Sequence, residues 1–428
     1  MSRLLADTTP LRNEYFRRLW SANIVTVIGA QLTVVAVPAQ IYAITDNSAY
    51  VGLTGLFGLV PLIVFGLWGG ALADVFDRRL ILIVTTLGLI GTSAVFWLQA
   101  YLGWDNVWVL LVTFSVQQGF FAVNQPTRSA VLPRLLPSRE LPAANSLNMT
   151  VMQAGAIAGP LVGGALIPVL GYALLYLVDT VGLLATLWAV IRLPALRPEH
   201  TDGQPRPTAG LRSVVDGFVY LGAHKVLMAS FLVDLIAMIF GMPRALFPQM
   251  AHEDFGGPNN GGLAFALLFA AIPAGAVIGG VFSGWVTRIS RQGLAVIVCI
   301  LIWGASITVA GCALFFADGN PFPMLPIVVV ALMIGGAADM ASAAFRQTML
   351  QAAAADEVRG RLQGVFIVVV AGGPRIADVA HGASAALVGT AVTTAGGGIA
   401  TMVLTVVAAL MIPAFVRYRA VRVGDQPV

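Results

Sequence analysis

Residues 143–169 read AANSLNMTVMQAGAIAGPLVGGALIPV and contain no charged side chain. A helix of this length crosses the hydrocarbon core of a bilayer, because about 20 apolar residues span roughly 30 Å. Stretches of the same kind recur along the chain and are separated by short polar segments. Hydrophobic residues make up 58% of the chain and charged residues 10%, whereas soluble domains carry about 25% charged residues. The sequence therefore predicts an all-α membrane protein.

Twelve transmembrane helices are predicted from these stretches. A β-barrel is excluded because the apolar runs are continuous and do not alternate with polar residues. The predicted spans are 19–42, 48–72, 80–101, 107–124, 143–169 and 173–193 in the first half, and 226–249, 261–285, 293–316, 324–345, 363–391 and 396–416 in the second.

The basic residues predict the orientation of the chain. The sequence has 24 Lys and Arg residues, and all except Arg244 and Arg375 fall in the two termini or in alternate loops on one side. Cytoplasmic loops carry an excess of Lys and Arg, so both termini are expected in the cytoplasm. The net charge of +4 then lies in these loops, where it favours contact with anionic lipid headgroups rather than with nucleic acid.

A polar segment divides the predicted spans into two pseudo-symmetric six-helix bundles. Residues 194–224 are rich in Pro and charged residues and are predicted to form a cytoplasmic linker with a short interfacial helix. The amino-terminal bundle is expected to comprise residues 1–193, and the carboxyl-terminal bundle with its tail residues 225–428. Paired bundles of this kind are typical of secondary transporters.

Predicted span 5 contains a glycine and proline motif. Its glycines lie four residues apart and share one helix face, where a neighbouring backbone can approach closely, and the proline removes a backbone hydrogen bond and bends the helix. An ordinary packing seam of small residues is one interpretation. The whole string resembles the span-5 antiporter motif of exporters in the major facilitator superfamily. The motif residues are Gly155, Gly159, Pro160, Gly163 and Gly164.

The loop after predicted span 2 reads GGALADVFDRR over residues 69–79. It resembles the loop signature of the same superfamily, G-x-L-A-D-R-x-G-R-K, but Val75 replaces an arginine and Asp77 a glycine. The resemblance implies that Asp74 helps to lock the cytoplasmic side against the start of predicted span 11, with Arg78 as a charge partner. A solvated aspartate in an ordinary turn is the alternative. The predicted gating residues are Gly70, Asp74, Arg78 and Arg79.

Further segments resemble the enterobactin-exporter branch of the drug:proton antiporters in this superfamily. The resemblance extends over nearly the whole chain and implies a bacterial inner-membrane exporter that works by alternating access. It also implies that spans 1, 4, 7 and 10 line a central cavity, whereas spans 3, 6, 9 and 12 face outward. The segments are 37–41, 124–133, 140–147, 271–279 and 347–361.

Four aspartates fall within predicted spans: Asp179, Asp234, Asp339 and Asp378. Carboxyl groups at the centre of a membrane need partners, water or protonation, since each costs about 2.5–3.5 kcal/mol to insert. A carboxyl group removed from water also exchanges protons closer to neutral pH, as proton-coupled antiport requires. Asp234 in span 7 and Asp339 in span 10 are the favoured coupling residues, because the resemblance places these spans at the cavity. Asp179 in span 6 is interpreted as a packing or helix-end residue.

Predicted span 11 carries Arg375, Asp378 and His381 at intervals of three residues. Arg375 and Asp378 can form an ion pair, which lowers the cost of burying both, and histidine titrates in the physiological range. Pro374 is expected to loosen the helix at this point. The cluster is therefore a third candidate for proton coupling, and a structural ion pair beside a hydrogen-bonded histidine is the alternative.

Uncharged polar residues dominate the predicted cavity on its amino-terminal side. They favour a hydrogen-bonding organic substrate, although polar contacts between helices would explain them without one. Arg244, near the outer end of span 7, is expected either to extend outward to the interface or to contact an anionic substrate. The cavity candidates are Asn23, Gln31, Gln117, Gln118, Asn124 and Arg244.

These features predict a proton-driven exporter of a small organic molecule, such as a siderophore or a drug-like amphiphile. A nutrient importer is one alternative, and a lipid translocase or a non-transporting membrane protein is another. The sequence has no Walker-type phosphate loop and no cluster with metal-ligand spacing. We therefore expect no enzymatic activity, no metal and no cofactor, with the proton gradient as energy source and a monomer as the working unit.

Overall fold

The computed structural model describes residues 7–196, 221–222, 224–284, 289–353 and 356–419. These residues are helical apart from turns and loops, and they contain no β-strand, so the predicted all-α class is confirmed. Most of the predicted linker, with its interfacial helix, lies outside the described residues. The main helices are α1 (Glu14–Thr45), α2 (Ser48–Val75), α3 (Arg78–Leu102), α4 (Val107–Leu135), α5 (Leu141–Ile191), α6 (Lys225–Gly241), α7 (Leu263–Val281), α8 (Gln292–Leu314), α9 (Met324–Ala353), α10 (Asp356–Val388) and α11 (Thr390–Met411).

Ten stretches in the described part of the chain are long and apolar enough to cross a membrane. One of them covers the whole of α5, and α10 is not among them. The backbone of α5 leaves the helical conformation at Gly171, whose φ of 72° and ψ of 168° are accessible to glycine without steric cost. Helix α5 therefore consists of two arms joined at this residue.

Helix α3 shows that the bundle is built for an apolar solvent. Its exposed face carries Val84 and Leu87, which are 54% and 50% exposed, whereas Thr85 and Ser93 on the opposite face are buried. A helix in water would place these residues the other way round. Large exposed aliphatic side chains together with buried hydroxyl groups are expected when lipid surrounds the helices. The protein is a multi-pass membrane protein.

Two structural units are distinguished by their internal contacts. The first comprises Met1–Thr45 and Phe57–Gly210, and the second comprises Asp46–Leu56 and Leu211–Val428. In the first unit α5 packs on α1 and α3, and α3 packs on α4. In the second unit α8 packs on α9 and α11, α7 packs on α9, and α6 packs on α10 and α11.

Three of the differences from the predicted helix boundaries bear on the candidate site. Helix α4 continues to Leu135 with Pro126 and Pro133 inside it, so predicted span 4, which stops at residue 124, covers only part of a longer helix. Helix α9 extends beyond residue 345 to Ala353. Both extensions place residues interpreted as loop on helices, because a polar residue ends the apolar pattern without ending the helix.

The third difference concerns predicted span 7. Helix α6 ends at Gly241, and a 3₁₀ turn (Arg244–Leu246), a short α-helical turn (Phe247–Gln249) and a π-helical turn (Met250–Asp254) follow it. Pro243 immediately precedes the 3₁₀ turn, where its missing N–H cannot continue an α-helix. Arg244 therefore lies in this turn and not in the helix.

Candidate functional site

The glycines of α5 form a close contact with α1 inside the first unit. A Cβ atom built on Gly155 would lie 2.3 Å from Cγ1 of Val27, and one built on Gly159 would lie 2.2 Å from Cβ of Gln31. Real Cβ atoms do not approach other carbon atoms to such distances. The predicted small-residue seam is therefore present as packing between two helices, and its role in export stays a prediction. Pro160, Gly163 and Gly164, the other motif residues, are buried.

The polar cavity candidates of the first unit lie on two helices, α1 and α4. Gln31 touches the seam through Gly159, and Asn23 is buried on the same helix. On α4, Asn124 donates a hydrogen bond from Nδ2 to Thr85 Oγ1 at 2.8 Å. That contact holds α4 to α3, so for Asn124 the structure favours the interpretation as a polar helix contact. Gln117 and Gln118 are half-buried on α4.

The loop between α2 and α3 is fastened to the end of α5. The Asp77 carboxylate accepts hydrogen bonds from the backbone N–H of Arg79 at 2.9 Å and of Leu196 at 3.1 Å. Arg79 donates from Nη2 to the Ile191 carbonyl at 2.6 Å, and Arg78 donates from Nη1 to the Ala130 carbonyl at 3.1 Å. Asp77, a departure from the superfamily signature, thus caps α3. The side chain of Asp74, the central gating residue, lies outside the described part of the structure, and Gly70 has no side chain.

Asp179 lies in the second arm of α5 and is 2% exposed. Its Oδ2 atom accepts hydrogen bonds from Thr33 Oγ1 on α1 at 2.8 Å and from Ser93 Oγ on α3 at 3.0 Å. The residue lies within the helical arm and not at its end, so the helix-end interpretation is wrong. Its packing between three helices agrees with the other half of the prediction.

The second unit contains a buried group of charges on α6 and α9. Arg346 of α9 forms an ion pair with Asp234 of α6 through Nη1 and Oδ2. The Nη2 atom of Arg346 also lies 3.9 Å from Oδ1 of Asp339, and Nε donates to Ser342 Oγ at 3.3 Å. The side chains of Asp234 and Arg346 are 1% and 5% exposed, whereas that of Asp339 is 40% exposed. One guanidinium group therefore links a buried carboxylate to an accessible one.

A small cleft opens beside this charged group. Asp234 and Arg346 form its polar wall together with Ser230, and the apolar wall is made by neighbouring side chains of α6 and α9. The cleft has room for about one water molecule beside the ion pair. The apolar lining residues are Leu227, Phe231 and Leu350.

A second ion pair of the same unit joins the turn after α6 to α10. Arg244 Nη2 donates to Asp378 Oδ2 at 2.7 Å, and the Asp378 side chain is 4% exposed. The hydrogen-bonded arginine shown for Asp378 is thus Arg244, whereas the sequence suggested Arg375, which lies one turn away on α10. Arg244 is thus ion-paired, and its side chain is 34% exposed. His381 is buried on the same helix, 4% exposed.

Arg346 is the residue that sequence reasoning missed. It was assigned to the loop after predicted span 10, together with the other cytoplasmic basic residues. Its signal was the spacing of Asp339, Ser342 and Arg346, which are separated by three and four residues and so share one face of a helix. A carboxylate and an arginine two turns apart on one face indicate a continued helix with a buried ion pair.

Comparison with known proteins identifies relatives along nearly the whole chain. A family model described as transmembrane secretion effector matches residues 5–422. The enterobactin exporter EntS of Shigella boydii serotype 18 is 28% identical over 415 residues, which cover 94% of this chain and 93% of the relative. EntS of Escherichia coli O139:H28 matches with the same identity and coverage.

Solved structures of transporters share the fold. A POT family transporter in complex with 5-aminolevulinic acid superposes with a TM-score of 0.73, at 11% identity, over 92% of this chain and 96% of that chain. A bacterial homologue of the iron transporter ferroportin gives a TM-score of 0.68 at 14% identity over 94% and 98% of the two chains. At such low identities these likenesses show the fold alone.

Proposed function

Because the chain belongs to the transmembrane secretion effector family of the major facilitator superfamily, whose relatives include enterobactin exporters, we propose that it couples export of a small organic molecule to proton entry. A siderophore or a drug-like amphiphile is the proposed substrate class. The protein is an exporter and not an enzyme.

The ion-paired group of Asp234, Asp339 and Arg346 is the observation that carries the proposal. Charged side chains in a membrane bundle are costly and usually serve a proton or substrate pathway. Protonation of Asp234 would release Arg346 toward the accessible Asp339, and deprotonation would draw it back. Such an exchange converts the binding of one proton into a movement between α6 and α9. The cleft beside the pair gives water a route to it.

The proposed topology has twelve spans in two bundles of six. The two arms of α5 count as separate spans, and α10 joins the other apolar helices. Gly389, between α10 and α11, has a φ of 83° and a ψ of 168°, nearly the conformation of Gly171. The same glycine turn at the last connection of each half supports an internal repeat. An even number of spans would place both termini in the cytoplasm, with the basic loops against anionic lipid headgroups.

The function is tested in proteoliposomes with an imposed pH gradient. Enterobactin and a panel of amphiphilic dyes are supplied on the side that corresponds to the cytoplasm, and their accumulation across the membrane is measured. We expect gradient-dependent transport of at least one of these probes by a monomer without added nucleotide, metal or cofactor. A transport rate that is the same with and without the pH gradient would contradict proton coupling. Substrate accumulation in expressing cells, in place of depletion, would indicate a nutrient importer.

We expect the variants Asp234→Asn and Asp339→Asn to lose uphill export while retaining gradient-free substrate exchange, because the carboxamide cannot release a proton. Both activities are measured side by side in the same vesicles, with Asp378→Asn as the third variant. Normal uphill export by both variants and its loss in Asp378→Asn would move the coupling site to α10, where Arg375 and His381 are its neighbours on the helix.

We expect Asp74→Asn to keep normal expression but to cut transport and shift the protein toward inward-open states, because the superfamily uses this position to hold the inner gate. Conformation is followed by distance measurements between spin labels on the two sides of the membrane. Asp77→Asn is the matched control. It weakens the cap of α3 and should lower thermal stability without changing the conformational distribution. Wild-type transport and distances in Asp74→Asn would contradict the role.

A further inference from the structure

Asp179 has no charged partner among the described residues packed against it. Helix α1 presents Gly29 and Thr33 to the carboxyl group, and α3 presents Ser93. The second arm of α5 adds the phenol of Tyr176, which is buried one turn before Asp179. Asp179 therefore differs from Asp234 and Asp378, each of which forms an ion pair with an arginine.

The two oxygen atoms of Asp179 are in unequal environments. Both hydroxyl donors bind Oδ2, whereas Oδ1 is buried without a hydrogen-bond partner among the described residues. Oδ1 instead faces the backbone of α1, where a Cβ atom on Gly29 would lie 2.7 Å from it. An ionised carboxylate has about four acceptor sites, and half of its charge would here remain unsolvated. A protonated carboxyl group avoids that cost while Oδ2 still accepts both hydrogen bonds.

A row of buried polar side chains extends from this site toward one end of the helices. Tyr176, one turn before Asp179, donates from its hydroxyl to Gln40 Oε1 at 3.0 Å. Gln40 and Gln99 are joined by reciprocal amide hydrogen bonds of 3.0 and 3.3 Å. Gln99 lies three residues before the end of α3 at Leu102, or about 4.5 Å along the helix axis. This polar row therefore lies between Asp179 and the end of α3, the point at which water would enter.

We propose that Asp179 is a second proton-binding site, built into the first unit and independent of the Asp234–Arg346 pair. Asp179 holds a proton in the conformation described here. When α1, α3 and α5 separate, water reaches the carboxyl group along the polar row, the O–H bond breaks, the proton passes to water and the carboxylate remains. The loops at this end carry no Lys or Arg and lie outside the cell in the proposed topology, so the site exchanges its proton with water outside the cell. Its part in export rests on the proposed function, whereas its protonation does not.

Infrared spectroscopy of the purified protein tests the protonation directly and needs no substrate. The protein is labelled with ¹³C at aspartate side-chain carboxyl carbons, and the carbonyl band of protonated carboxyl groups is followed during a pH titration. We expect a band at neutral pH in the wild type and in Asp234→Asn that is missing in Asp179→Asn. Thr33→Val and Ser93→Ala should shift this band, because each removes one hydrogen bond to Oδ2. Asp105→Asn, on an exposed loop, is the control and should leave it unchanged.

Three results would overturn the proposal. A band that persists unchanged in Asp179→Asn would show that another group carries the proton. A band that is absent both with and without sodium would show that Asp179 is ionised. A carboxylate signal that responds to sodium would show that the oxygen atoms of Thr33, Ser93 and Asp179 bind a cation. Failure of every transport assay would remove the proposed function and leave the infrared result intact.

Transport measurements then decide whether the proton at Asp179 is used. We expect Asp179→Asn to lose enterobactin accumulation driven by a pH gradient and to retain gradient-free exchange of the same probe. Normal gradient-driven accumulation, together with the infrared result expected above, would contradict a coupling role. Gradient-free exchange at the wild-type rate in Asp179→Asn distinguishes loss of coupling from a packing defect, which would lower both activities.

Discussion

The Gly159→Leu variant is expected to lose export completely and to be strongly destabilised. The contact that it disrupts joins the backbone of α5 to Cβ of Gln31, whose position is fixed by the backbone of α1. A methyl group on Gly159 would already lie 2.2 Å from this Cβ atom. Overpacking a well-packed contact costs about 1–3 kcal/mol and sometimes more, and here neither helix can yield by rotating a side chain. Helices α1 and α5 would have to separate along the seam.

Graded substitutions distinguish loss of the seam from a general effect of bulk. Gly159→Ala should be impaired less than Gly159→Leu, and adding Gln31→Gly should partly restore it, because only glycine at position 31 removes the clashing Cβ atom. Gly91→Leu on α3 is the matched control, since nothing lies within 4 Å of a Cβ atom there. Thermal unfolding in detergent and efflux in vesicles are measured for each variant. Wild-type efflux by Gly159→Leu would mean that the seam is dispensable.

Features that depend on neighbouring residues in the chain could be predicted from the sequence. The glycines of the seam follow from their spacing alone, because residues four apart share a helix face whatever packs against it. The apolar runs likewise predicted the helices. Helix α4, by contrast, continues past the end of predicted span 4. The Thr127 hydroxyl donates to the Val123 carbonyl at 2.8 Å, and the helix accommodates Pro126 at the point where the apolar pattern stops.

Partners that come from distant parts of the chain could not be predicted. The spacing suggested Arg375 as the partner of Asp378, because the two lie one turn apart on α10. The hydrogen bond to Asp378 shown here comes from Arg244, which lies in a turn that was predicted to be helix. Arg346 was assigned to a loop because basic residues at span ends usually are cytoplasmic. The spacing of Asp339 and Arg346 indicates that they share a helix face, but it does not identify Asp234 on α6 as the partner of Arg346.

Removal of Arg346 alone should be far more damaging than removal of the whole ion pair. Arg346→Gln leaves Asp234 as an uncompensated charge that is 1% exposed, and breaking a buried pair in this way costs about 3–5 kcal/mol. The double variant Asp234→Asn/Arg346→Gln has neither charge, so its stability should return close to that of the wild type. The control is Arg139→Gln, which removes an arginine that is 85% exposed and 3.9 Å from Glu140 and should change stability by about 0.5 kcal/mol or less.

The same set of variants separates the structural role of the pair from proton coupling. If Arg346 only neutralises Asp234, the stable double variant should export uphill as well as the wild type. We expect instead that it folds and exchanges substrate without a gradient but does not export substrate uphill. The reason is that it lacks both the Asp234 carboxyl group, which exchanges the proton, and the Arg346 guanidinium group, which moves in response. Thermal unfolding, gradient-free exchange and gradient-driven efflux are measured on one preparation. Restored uphill export in the double variant would refute coupling through this pair, and a double variant as unstable as Arg346→Gln would refute the electrostatic origin of the damage.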